Sequence, residues 1–317
     1  MSILPSSLLP FLPSSLPPFF PSHLELPVNS DNPAKIAWQA SNRAALAARL
    51  DFARTAEDDT LFTEEWNGHF VAVTKEEGTL RLWLIDQSAD DTDWVQSILR
   101  LDDPLWLPMS YTQAMLLALL WQPTPQRIFV SGLGGGGLAT VLHHYLWQSH
   151  LDCVELSPPV VAAAIGCFGF APDERMSLTT GDALIALAAA PPGSYDILFL
   201  DLFFDNGETP AHLLTEDFFR LCHSRLRADG LLTMNLGAKG SDFAQRLTPI
   251  AAHFATVYTC RGHGSTQVVF ATDRPPLAPF ALTQQAIAVQ QEHRFAFPYI
   301  TWVARLVQQR PAAESAS

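Results

Sequence analysis

Residues 127–156, RIFVSGLGGGGLATVLHHYLWQSHLDCVEL, constrain the fold more than any other stretch of the chain. Ile128, Phe129 and Val130 form an apolar run without alternation, the pattern of a strand buried on both faces of a helix-covered parallel sheet. Gly132, Gly134, Gly135, Gly136 and Gly137 follow, and the missing Cβ atoms let the backbone turn sharply and press against a ligand. Leu138 to Trp147 reads as a helix whose N-terminal N–H groups would face whatever the turn cradles. Leu151 to Leu156 reads as a second strand ending near Glu155, where an acid can accept hydrogen bonds from both hydroxyls of a ribose. Strand, glycine turn, helix, strand and terminal acid in this order point to a nucleoside site. No Lys-Ser or Lys-Thr pair follows the glycines, which excludes a P-loop. Gly132, Gly134 and Gly137 satisfy G-x-G-x-x-G spacing, so a dinucleotide stays open beside S-adenosylmethionine or its decarboxylated form.

The same alternation continues downstream. Ser157 is placed to cap a helix with Pro158 and Pro159 in its first turn. Met176 to Thr180, Tyr195 to Leu200 and Leu231 to Leu236 read as further strands, with an amphipathic helix from Thr215 to Arg227 closed by Asp229-Gly230. Ala255 to Cys260 and Gln267 to Thr272 read as a final hairpin. The sum is an α/β, doubly wound, mainly parallel seven-stranded sheet of the Rossmann-like, methyltransferase-like kind, with an antiparallel edge. Residues 111–275 make up this nucleoside-binding domain. Ahead of it, residues 33–110 hold a helix and a small antiparallel β module, read from alternation around Phe70 to Thr74 and Leu80 to Ile85. Ser110 is the expected cap of the helix that follows. Residues 1–32 nearly repeat LPSSL-x-PF and contain too many prolines for a helix, so an extended, disordered segment is expected. Beyond Pro275, residues 276–317 suggest helices around Gln284–Glu292 and Ile300–Gln309.

Three acids fall at strand ends: Glu155, Asp182 and Asp201. Ligands of a doubly wound sheet sit over these ends, and three acids there favour a nucleoside over a dinucleotide. Asp182, in the triplet Gly181-Asp182-Ala183, is placed to accept from an adenine amine, with Ala183 against the base; the competing role is a helix cap. Asp205 follows Asp201 in a loop that could cover the site, or stand as a solvated acid. The net charge of −13 argues against a nucleic-acid partner and suits a cationic substrate such as a polyamine. Cys153, Cys167, Cys222 and Cys260 are widely separated, as expected of buried thiols in a reducing, cytoplasmic setting. His143 and His144 are neighbours on one helix and read as surface or core-edge residues rather than metal ligands, so no metal is expected. No apolar run is long enough for a membrane span, and no secretory leader is recognisable.

The segments GLGGGG, CVELSPPVV, TTGDA, SYDILFLDLFFD and LLTEDFFRLCHSRLRADGLL, with the β module before them, resemble spermidine synthase and the polyamine aminopropyltransferases over about Leu80 to Arg274. The resemblance implies transfer of an aminopropyl group from decarboxylated S-adenosylmethionine to an amine, releasing methylthioadenosine, in a homodimer. It implies that Glu155 holds the ribose, Asp182 the adenine and the glycine turn the thioether end, while Asp201 orients and deprotonates the amine. A nucleoside-binding glutamine of the family matches Gln96, with Gln87 as its rival. Two departures stand out. Asp201 and Asp205 are one residue further apart than in the family's D-S-x-D-P loop, and no proline follows. The family's acid-bearing triplet reads Tyr111-Thr112-Gln113 here, leaving Tyr111 as the candidate amine contact. An S-adenosylmethionine-dependent small-molecule methyltransferase would use the same sheet, and a non-catalytic nucleoside-binding protein would fit a lost amine site.

Overall fold

The computed structural model describes residues 32–86, 94–202, 209–236, 243–262 and 266–309. The Pro-rich start up to residue 31, Gln87 and Asp205 lie outside the described residues. Asn32 opens the first helix, α1 (Pro33–Arg49), its side chain accepting from the N–H groups of Ala34 and Lys35. A short α2 (Asp51–Thr55) leads into β1 (Thr60–Trp66), β2 (His69–Glu76), β3 (Thr79–Asp86) and β4 (Trp94–Arg100). These four strands pair antiparallel in chain order, and the alternation read from the sequence buries Leu80 and Leu82 on the inner face. Then comes α3 (Ser110–Met115), continued by a 3-10 stretch Leu116–Leu120. Ser110 is not its cap. Met109, extended at φ −80° and ψ 113°, takes that position without a side-chain bond, and Ser110 begins the helix.

The nucleotide-type unit contains β5 (Arg127–Ser131), α4 (Gly137–Tyr145), β6 (His150–Glu155), α5 (Pro158–Gly166), β7 (Met176–Thr180) and α6 (Ala183–Ala189). It continues through β8 (Tyr195–Leu200), α7 (Glu216–Arg225), β9 (Leu226–Asn235), α8 (Phe243–Ala251), β10 (Thr256–Arg261) and β11 (Gln267–Thr272), and closes with α9 (Pro279–His293) and β12 (Leu306–Gln309). The sheet order is β7-β6-β5-β8-β9-β11-β10-β12, parallel from β7 to β9 and antiparallel beyond. This is the α/β, mainly parallel, methyltransferase-like sheet with a small antiparallel module ahead of it. Both faces of β5 are buried, Phe129 in one core cluster and Val130 in the other, which explains its unbroken apolar run. No helix among the described residues is long and apolar enough to cross a membrane.

Three sequence expectations are corrected here. The sheet has eight strands rather than seven, because the stretch expected to be helical near its end forms a 3-10 turn, Tyr299–Arg305, and then β12. β10 would otherwise offer an unpaired edge, and pairing of Val257 to Cys260 with Leu306 to Gln309 covers it. Helix α7 ends at Arg225, and Asp229-Gly230 belongs to β9 instead of closing the helix. Finally, His143 and His144 are buried, at 4% and 1% exposure. Asn42 on α1 reaches both: its amide nitrogen meets His143 Nδ1 at 3.3 Å and its oxygen meets His144 Nδ1 at 3.0 Å. Burial pushes each imidazole down to about 4, so both are neutral near pH 7 and cement α1 to α4.

The chain runs outward from β5 to β6 and β7, then returns to the other side of β5 as β8. That reversal opens a crevice at the C-terminal ends of β5 and β8, the usual ligand position in open α/β sheets.

Candidate functional site

A cavity of about 560 Å³ fills this crevice. Its floor is formed by the ends of β5, β6 and β8, and its roof by β3 and β4 of the antiparallel module together with residues 107–112. Glu155, Asp182, Asp201 and the glycine turn therefore face one shared space. Gln96, Ala183 and Tyr111 line it as well, while Gln113 and Gly136 do not; Gly136 is packed against Phe170 instead.

The glycine turn works by shape. Gly132 adopts φ +79°, and a Cβ there would lie 1.8 Å from the carbonyl oxygen of Asp201. The ends of β5 and β8 are this close because Asp201 N–H donates to Ser131 O across the switch point at 2.9 Å. Gly134, at φ +52°, leaves room for the hydroxyl of Ser97, which a Cβ would approach to 2.5 Å. Ahead of α4, five N–H groups of the turn itself are already used within the protein. Gly132 N–H donates to Val154 O and Gly136 N–H to Leu133 O. Leu133 and Gly134 donate to Glu155 Oε2 at 2.8 and 3.4 Å, and Gly135 to Ser97 Oγ at 2.8 Å. The Glu155 carboxylate thus holds the start of the turn, at Leu133 and Gly134, ahead of the first residue of α4.

Glu155 also accepts from Ser157 N–H through Oε1 at 3.0 Å. Burial pushes its carboxyl above the usual range, and these backbone donors pull it back. Oε2 already accepts two of these bonds, so of the about four lone-pair positions of an ionised carboxylate the free capacity lies on Oε1. Asp182 fulfils its competing role: Oδ1 accepts from Leu184 and Ile185 N–H at 2.7 and 3.3 Å and caps α6. It lies in the cavity wall at the same time, with Ala183 beside it.

Asp201 follows the last residue of β8. Tyr111 O–H on α3 donates to its Oδ2 at 2.8 Å, and Asn235 Nδ2 at the end of β9 donates to its Oδ1 at 3.1 Å. Burial raises the Asp201 carboxyl to about 6; the two hydrogen bonds oppose this and the Glu155 charge adds to it. Tyr111 is held well above the usual phenol range, first by burial and then by Asp201, so it stays a donor. Sequence reasoning missed Asn235 and Ser97. A polar residue ending the apolar run Leu231–Met234 was the available signal for Asn235; nothing local marked Ser97.

Gln113, in the place of the family's acid, is buried and turned away from the cavity. Its Nε2 donates to Leu107 O at 2.6 Å and its Oε1 accepts from Trp302 Nε1 at 3.1 Å. A carboxylate here cannot donate to Leu107 O, so Gln113→Glu is expected to cost roughly 2–4 kcal/mol of stability without improving diamine use. Denaturant midpoints and rates with mono- and diamines check both halves of this expectation.

No family model matches the chain. Among curated relatives, the polyamine aminopropyltransferase of Vibrio vulnificus is 36% identical over 137 residues, covering 42% of this chain and 44% of that protein. The chain thus aligns with less than half the length of this relative. The polyamine aminopropyltransferase of Chromobacterium violaceum is 29% identical over 222 residues, covering 68% of this chain and 84% of that protein. In sequence the chain is similar to the polyamine aminopropyltransferases, at the distance of a divergent relative. Human methyltransferase-like protein 13, solved in complex with SAH, superposes with a TM-score of 0.55 at 26% identity, over 60% of this chain and 94% of that one. Aminopropyl- and methyltransferases are both enzymes of group transfer, and this spermidine synthase-like chain shares their central sheet.

Proposed function

We propose that this chain transfers an aminopropyl group from decarboxylated S-adenosylmethionine to an amine. The observation that carries the reading is the charge of the cavity wall. Glu155, Asp182 and Asp201 line it, and among the described residues no Lys or Arg does. Three carboxylates with no Lys or Arg beside them disfavour a donor carboxylate, whereas an aminopropyl ammonium and a cationic acceptor are both attracted. Glu155 accepts from the ribose, Asp182 and Ala183 bound the adenine, Gln96 contacts the nucleoside, and Gly132, Gly134 and Gly135 form the wall at the sulfur.

The donor supplies a carbon beside a sulfonium, whose thioether leaves without acid catalysis. The chain's own task is to present an unprotonated amine in line with the carbon–sulfur bond. Asp201, held by Tyr111 and Asn235, accepts a hydrogen bond from the amine and takes its proton as the carbon–nitrogen bond forms. Because this role needs the carboxylate, kcat/KM is expected to fall as pH drops through about 6, in addition to the effect of amine protonation. Comparing pH profiles for acceptors of different basicity isolates the inflection that stays in place.

A second reading is favoured by the likeness to the human methyltransferase: methyl transfer from S-adenosylmethionine to a small molecule. Incubation with each donor and a panel of amines separates the two. Methylthioadenosine from the decarboxylated donor supports aminopropyl transfer; S-adenosylhomocysteine from the carboxylated one supports methyl transfer. Absence of both products would return the chain to the non-catalytic reading. The feature behind that reading, Gln113, faces Trp302 rather than the cavity.

A further inference from the structure

We propose that Ser97 is a positioning residue for the donor, through which the antiparallel module holds the glycine turn in its ligand-binding shape; this rests on the donor site proposed above. Three observations converge on it. Ser97 Oγ accepts from Gly135 N–H at 2.8 Å. The other four turn N–H groups described above are held by the nucleotide-type sheet or by the turn itself, so Ser97 is the contribution of the module to this set. The turn is also shaped to receive it, since the missing Cβ of Gly134 leaves the space that the Ser97 hydroxyl fills.

The third observation lies in the register of β3 and β4. Leu82 pairs with Ser97 but Trp83 pairs with Val95, so Gln96 is the extra residue of a bulge. A bulge bends its strand and re-aims the side chains beside it. This one sits where β4 crosses the turn, and both Gln96 and Ser97 line the cavity. The Ser97 hydroxyl is a donor as well as an acceptor. While it accepts from Gly135, its own proton remains available to a ligand atom in the cavity. Ser97 therefore acts on the donor in two ways, by fixing Gly135 and by presenting a hydroxyl at the wall of the turn.

The test is the Ser97→Ala variant of the full chain, with methylthioadenosine as the calorimetric probe and donor and acceptor KM as kinetic readouts. Loss of one such hydrogen bond is expected to weaken methylthioadenosine about tenfold and to raise donor KM by a similar factor. Acceptor KM and kcat are expected to stay close to wild type, with a modest drop of the ligand-free melting midpoint from the unpaired Gly135 N–H. Equal methylthioadenosine affinity in wild type and variant overturns the role of Ser97 and leaves the functional reading standing. A rise of donor and acceptor KM together, with a melting midpoint lowered far more than that, overturns it too, because that is loosening of the whole module. Wild-type protein that binds neither methylthioadenosine nor the donor overturns both readings. A second variant gives an independent check. Gly134→Ala is expected to weaken methylthioadenosine in the wild type and to do so much less on the Ser97→Ala background, where no hydroxyl meets the new methyl group. Additive losses overturn the coupling.

Discussion

Asp201→Asn is expected to cut turnover by orders of magnitude and, at the same time, to make the protein more stable near neutral pH. The two effects have one cause. The Asp201 carboxyl sits at about 6 in the folded protein against an ordinary 3.8, because burial disfavours its charged form. A folded-state pKa raised above the unfolded value means that the folded protein prefers the protonated acid. The associated stability is fully present below about pH 4 and is lost as pH rises through about 6. Above that, holding Asp201 ionised costs on the order of 3 kcal/mol. Asparagine keeps the shape and removes the charge. Asn235 can turn its amide to suit the new partner, since its Oδ1 is buried without a hydrogen bond. On the proposed reading the variant loses the proton acceptor, and a rate loss of about 10²–10⁴ follows from the usual contribution of a positioned base. Denaturant midpoints at pH 8 and pH 4 are expected to show the variant gaining stability only at the higher value. Methylthioadenosine affinity is expected to hold within a few-fold. Wild-type turnover in the variant would remove Asp201 from the mechanism.

Gly132→Ala is expected to be the most damaging single methyl addition among the described residues. Its Cβ would stand 1.8 Å from the Asp201 carbonyl oxygen and 2.8 Å from the carbonyl carbon, both backbone atoms. Neither strand can step aside cheaply. Asp201 N–H is tied to Ser131 O, and Gly132 N–H to Val154 O, on opposite sides of β5. A positive φ adds about 1–2 kcal/mol for any residue with a Cβ. The total is expected to exceed about 4 kcal/mol, the range reserved for backbone strain and severe overpacking. Gly193→Ala serves as the control: φ is +66° there too, but nothing lies within 4 Å of the new methyl group. Its cost should be the positive-φ penalty alone. Equal denaturant midpoints for the two variants would show that the contact between β5 and β8 is looser than described.

Much of the site was legible because its parts are local. An unbroken apolar run, a glycine cluster and an acid at a strand end each follow from a few consecutive residues. Glu155, Asp182 and Asp201 therefore stood out before any three-dimensional information, as did the burial of the four cysteines. Errors arose where a residue answers to something distant in sequence. The histidine pair was judged by its own helix, yet Asn42, about a hundred residues earlier, decides its environment. The end of the chain was read by its helical tendency, yet the open edge of β10 recruits Leu306 to Gln309 as a strand. Gln113 looked like a lost substrate contact until Trp302 proved to be its partner.

The sequence by itself determined the order of strands and helices as far as β11, the glycine turn and the acids that end the strands, because periodicity and backbone freedom are properties of short segments. Only the tertiary structure decided what the turn does with its N–H groups, and that a serine and a bulge from the preceding module complete it. Hydrogen-bond donors are assigned by whatever acceptors the fold brings near them, and here a carboxylate of the protein arrives first.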